Sequence, residues 1–159
     1  MTPMRFATAI AAACALAAVF NAPAALARVP QRPNFSGRWV IVEPAKGAGQ
    51  EQVIKHDDKV LSKTPVGDRG GPPATYQLDG MEHRTVMSMR GEQIVSVTKA
   101  VWEGNTLVVT ILETYPNGMK LNVKEVWSLD AQGRLVVEDT ESVPGQKPQI
   151  MKIVLQKKG

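Results

Sequence analysis

The sequence predicts an all-β fold, and three features predict it. From Phe35 onward, runs rich in Val, Ile, Thr and Trp alternate apolar with polar residues, the two-residue period of a strand with one buried face. Turn residues break these runs about every ten positions, the spacing of an antiparallel sandwich or barrel. Past residue 27 no window carries a sustained helical stripe with caps.

The elements follow in chain order. Phe35 to Glu43 is the first expected strand. Gln52 to Lys55 and Lys59 to Ser62 flank a tight turn at His56-Asp57-Asp58. Thr75 to Leu78 is short and precedes Asp79-Gly80, a hairpin signal. Arg84 to Met89 comes next. Four clear strands follow: Gln93 to Trp102, Thr106 to Thr114, Lys120 to Leu129 and Arg134 to Ser142, separated by Gly, Asn, Asp and Pro. Gln149 to Gln156 closes the chain. Residues 63–74 hold three prolines and three glycines and form the longest expected loop. A short helix has room only between Pro44 and Gln52 or within that loop. The loop glycines are no phosphate cradle, because no Gly-Lys-Ser/Thr follows them.

Residues 1–27 are expected to be a cleavable signal peptide. Arg5 supplies the positive start, Ala7 to Phe20 the apolar run, and Ala25-Leu26-Ala27 the small-x-small cleavage site. The apolar run is about 14 residues, short of the ~20 a spanning helix needs. A lipid-anchored alternative would use Cys14, but the apolar segment continues past it. Residues 28–33 then form a flexible lead-in and 34–159 a single domain, periplasmic or secreted, with no membrane span.

Cys14 is the sole cysteine, so the exported domain has no disulfide, thiolate nucleophile or cysteine metal site. The net charge of +4 is scattered without a basic block, which argues against a nucleic-acid partner. His56 sits in the expected turn and His83 at a strand start. Two lone histidines make no zinc site, and no metal or cofactor is implied. No Gly-x-Ser-x-Gly surrounds any serine, so a serine hydrolase is poorly supported. Paired carboxylates remain open on spacing alone.

The strand from Lys120 holds the most informative residue. Leu121, Val123, Glu125, Trp127 and Leu129 share one face. Glu125 therefore points with core residues and must be paired, hydrogen-bonded or protonated. Arg84 and Lys99 are its candidate cations. The alternative is a polar anchor inside a ligand cavity. Asp139 follows Leu135 and Val137 on the face of the next strand, nearer its end. Met87 and Met89 share a face suited to an adaptable apolar surface. Ser96, Thr98 and Ala100 offer a small-residue face whose direction the sequence leaves open.

Asn34-Phe35-Ser36-Gly37-Arg38-Trp39 opens the first strand. It resembles the Gly-x-Trp signature of lipocalins and the wider calycin group. The likeness is strongest to small exported bacterial proteins that begin Asp/Asn-Phe-Ser/Thr-Gly-x-Trp, because Trp102 to Leu107 and Trp127 to Leu135 match their later strands. The resemblance implies an up-and-down antiparallel barrel of about eight to ten strands, with Gly37 and Trp39 structural at its closed end. It also implies non-catalytic binding of a small hydrophobic ligand, for which Glu125, Trp127, Arg84 and Met87 are the candidate contacts. A filled barrel docking on another envelope protein is the alternative, and an enzyme the third. The chain differs from transport lipocalins in lacking the Thr-Asp-Tyr turn, disulfides and an arginine in its last strand.

Overall fold

Alternating β-branched and aromatic residues favour pleated, half-buried strands, and the glycine-bearing turns between them fold each strand back on the one before. In the computed structural model, residues 32–67, 72–89 and 91–159 are described. They form β1 (Gly37–Glu43), β2 (Glu51–His56), β3 (Val60–Val66), β4 (Ala74–Gln77), β5 (His83–Met89), β6 (Glu92–Glu103), β7 (Thr106–Thr114), β8 (Lys120–Leu129), β9 (Leu135–Ser142) and β10 (Gln149–Lys158). One turn of 3-10 helix, Ala45–Gly47, falls in the Pro44 to Gln52 window. The expected signal peptide, residues 28–31 of the lead-in and residues 68–71 of the expected loop lie outside the described residues.

All pairings are antiparallel, in the order β4-β3-β2-β1-β10-β9-β8-β7-β6-β5. The first and last strands pair, Trp39 opposite Lys157 and Ile41 opposite Leu155. This joins the two ends of the strand series and curls the sheet into a nearly closed up-and-down barrel. The seam lies between β4 and β5, where β4 packs toward β6 without a ladder.

The hairpin expected at Asp79-Gly80 does not form, since β4 pairs with β3 and β5 with β6. Asp79 spends its acceptors locally. It takes a hydrogen bond from the Met81 backbone N–H, and its Oδ1 and Oδ2 each lie 2.9 Å from His83 Nε2. The turn reverses the chain, but its two strands go to opposite edges of the sheet. The expected 63–74 loop is also shorter. β3 runs through Lys63 and Pro65 to Val66, with Pro65 two residues beyond the last β4 partner, a position a proline tolerates.

Odd-numbered residues of β7 to β10 point inward. At the end where β1 begins and β10 finishes, they meet Phe35, Trp39, Ile54 and Leu61 in a continuous core with Leu107, Trp127, Leu135 and Leu155. Trp39 is 1% exposed, and its indole N–H donates to the Phe35 carbonyl at 2.8 Å. Gly37 has φ +144°, and a Cβ there would stand 2.6 Å from Lys157 Cε. The Lys157 ammonium lies over the Trp39 ring at 5.6 Å. Before β1, the Arg32 guanidinium lies 5.3 Å from the centre of the Trp102 ring.

Candidate functional site

The packed core stops halfway up the barrel at a polar layer. Strand alternation turns Glu125 inward, two residues above Trp127, and the residue is 5% exposed. Burying a carboxylate is costly unless donors surround it, and here three do. Lys63 Nζ lies 2.7 Å from Oε1, the Tyr76 hydroxyl donates to Oε1 at 3.3 Å, and Trp127 Nε1–H donates to Oε2 at 2.9 Å. Lys63 also sits over the rings of Tyr76 and Trp127, at 5.6 and 5.5 Å. Tyr76 meets Trp127 edge-on, and burial beside the Glu125 charge raises its phenol well above the ordinary range.

Neither cation expected to pair with Glu125 does so. Arg84 stands opposite Val97 on the outward set of β5 and is exposed, and Lys99 is likewise exposed. The partner is Lys63, which becomes a strand residue once β3 extends past Ser62. Its signal was present: Lys63 lies two residues from Leu61, a core position, so the strand period points both the same way.

Above this layer the barrel is hollow. A cavity of about 670 Å³ opens toward the loops β1–β2, β3–β4, β5–β6, β7–β8 and β9–β10, within the ~300–1,000 Å³ typical of sites for drug-sized molecules. Met87, Ile111, Leu121 and Val123 give it apolar walls, and Thr85, Ser96 and Thr98 add hydroxyls. The small-residue face of β6 therefore points inward, Ser96 and Thr98 at the cavity and Ala100 in the core beneath.

Four carboxylates share the lining: Glu113, Glu125, Asp139 and Glu141. Among the described residues Lys63 is the only Lys or Arg there. Asp139 stands directly opposite Glu125 across the β8–β9 ladder. Its Oδ1 is closed to solvent and has no hydrogen-bond partner. Burial, then the charges of Glu125 and Glu141, push its carboxyl up to about 6. Glu113 is held by the Tyr115 hydroxyl at 2.9 Å.

Of the candidate contacts, Glu125 and Met87 line the cavity. Trp127 lies below it as the floor under Glu125, and Arg84 faces away. Asp139, Lys63 and Tyr76 are the residues that sequence reasoning underrated or missed.

His56 is not a solvated turn residue. It ends β2, is half-buried, and stacks on Phe35 and Trp102 at 5.5 and 5.7 Å between ring centres. Its Nδ1 accepts the Phe35 backbone N–H at 3.1 Å. Burial lowers its imidazole below the ordinary value, against the opposing pull of Asp57 and Asp58. The turn that was expected to start at His56 begins at Asp57, whose Oδ1 accepts the backbone N–H groups of Lys59 and Val60.

Among the described residues no group of His, Cys, Asp and Glu is arranged to hold a metal ion, and no helix is long and apolar enough to cross a membrane. No protein-family model matches the chain, and no curated protein matches it significantly.

Proposed function

We propose that this chain is an exported, non-catalytic barrel that binds one small molecule with an apolar body in its hollow half. The cavity above the Glu125 layer carries the reading. An eight- to ten-strand barrel is wide enough either to be filled by its own side chains or to hold one small ligand, and here the upper half is unfilled. The walls of Met87, Ile111, Leu121 and Val123 suit an apolar body, and the hydroxyls and carboxylates beside them would orient a polar end. The filled-barrel alternative, a module that only docks on another protein, draws no support from this interior. The reading also agrees with the lipocalin-like resemblance of Gly37-Arg38-Trp39 and the signal-like residues 1–27.

The test is mass spectrometry of protein purified from its native host, first under non-denaturing conditions and then after extraction into organic solvent. One small molecule per chain, released by extraction, is expected. Protein with no bound mass, and no uptake of any apolar probe, would overturn the reading. Export is tested separately: N-terminal sequencing of the mature protein should begin at Arg28, within a residue or two, and an intact Met1 on the mature protein would refute it.

A further inference from the structure

Among the described residues, Asp139 Oδ1 is the only buried side-chain polar atom without a hydrogen-bond partner. Such an atom calls for an explanation, because an unpaired buried acceptor costs stability and most buried polar groups avoid it. Its neighbour Glu125 shows how this chain satisfies a buried acid, with three donors converging on one carboxylate. All three donate to Glu125 and none to Asp139. Lys63, the one nearby cation, lies 2.7 Å from Glu125 and makes no hydrogen bond to Asp139. Asp139 lines the cavity and is only half-buried, so a donor in the cavity meets its carboxylate, and rotation about the Cβ–Cγ bond turns Oδ1 toward that donor.

The charge of the lining fixes what that donor is. With four carboxylates against one lysine, an anionic headgroup would meet repulsion in a site partly shielded from water, where charge interactions are stronger than in bulk. A neutral headgroup would leave the excess negative charge uncompensated. A protonated amine supplies both the missing donor and the missing charge.

We infer that the molecule bound in this cavity carries a cationic amine, held at Asp139, with its apolar body along Met87, Ile111, Leu121 and Val123. The inference rests on the ligand-binding reading above. Asp139 on β9 is the primary contact and Glu141, one alternation nearer the mouth, the secondary one. Glu125 stays committed to Lys63, Tyr76 and Trp127.

Isothermal titration calorimetry with decylamine, decanol and decanoate tests this, since the three share a chain and differ in head charge. Decylamine should bind at least about tenfold more tightly than decanol, the scale of one charge-assisted hydrogen bond, and decanoate should bind more weakly than either. Asp139→Asn should remove most of decylamine's advantage over decanol and leave decanol unchanged. Decylamine affinity should also rise as pH climbs through about 6, where Asp139 ionises, while decanol affinity stays flat. Glu125, Lys63, Tyr76, Glu113 and Glu141 face the same space, so the Asp139→Asn protein must lose that rise. Should Asp139→Asn fail to fold, Glu141→Gln at the exposed mouth replaces it, with a smaller loss of amine preference expected.

Equal binding of decylamine and decanol, or tightest binding of decanoate, overturns the amine inference and leaves the ligand-binding reading standing. An amine preference undiminished by Asp139→Asn overturns the assignment to Asp139. Failure of all three ligands to bind overturns the inference together with the reading beneath it.

Discussion

The two halves of this barrel are built from the same strands and obey opposite rules. In the lower half, where β1 begins, inward positions are large and apolar, and polar groups there are satisfied within the chain. The Trp39 indole finds the Phe35 carbonyl, and His56 packs against the rings of Phe35 and Trp102. In the upper half, hydroxylated and acidic residues stand among the inward apolar ones, the space between them is unfilled, and one carboxylate oxygen is left unpaired. Glu125 and Lys63 mark the border. The comparison teaches that strand period alone places a side chain inside, while the size and charge of its inward neighbours determine whether the inside is solid.

The largest expected effect tests the solid half. Trp39→Ala should cost about 3–5 kcal/mol, the usual range for a fully buried large aromatic, read from denaturant melts. A loss below about 1 kcal/mol would mean that the lower half tolerates a void and does not differ from the upper. Met87→Ala, on the cavity wall, supplies the contrast and should cost less than about 1 kcal/mol, because its side chain already borders open space.

The border comes next. Glu125→Gln keeps the shape, removes the charge that holds Lys63, and turns an amide N–H toward one of the donors that now point at Glu125. A cost of about 2–3 kcal/mol is expected, near the worth of a charged hydrogen bond rather than of a sealed ion pair, because Lys63 keeps 26% of its side chain exposed. Lost stability with unchanged apolar-probe affinity would identify Glu125 as the structural border. Lost affinity with unchanged stability would move it into the binding site.

The smallest effect concerns pH, where the two halves have opposite signs. Burial, with the charges of Glu125 and Glu141, pushes the folded Asp139 carboxyl up to about 6, above its ordinary value of 3.8. Between those values the folded state holds a proton that the unfolded state has released, so this group's contribution to stability falls as pH rises from about 4 to about 6. His56 has a folded pKa below 6.5. Its contribution is present above 6.5 and is lost as pH falls toward the depressed value. Thermal melts across pH should show Asp139→Asn gaining on the parent protein as pH rises through the first window. His56→Gln should lose its disadvantage as pH falls below about 6.5. Parallel pH profiles for parent and variants would show that neither group titrates as its surroundings imply.

Much of the architecture was legible in the chain. β7 and β8 fall where alternation and turn residues place them, and the inward set of β8 is the set the two-residue period names, because strong β-branched runs between glycine turns leave little competing structure. The failures share a cause. Pro65 and the glycines around it hid the second half of β3, and with it Lys63, because breaker residues at a strand end look the same as those of a loop. Asp79-Gly80 carried a true turn signal, but a turn specifies a reversal and not which strands will then pair.

By itself, then, the sequence determined the class, the ten strands and which face of β8 is buried, since these depend on local propensity and a period of two. The tertiary structure alone decided that Lys63 rather than Arg84 or Lys99 meets Glu125, that Asp139 is left without a donor, and that the upper half is hollow. Those outcomes depend on register between strands far apart in the chain. Lys63 and Glu125 are 62 residues apart, and only the β1–β10 pairing that curls the sheet brings their inward faces together across the barrel.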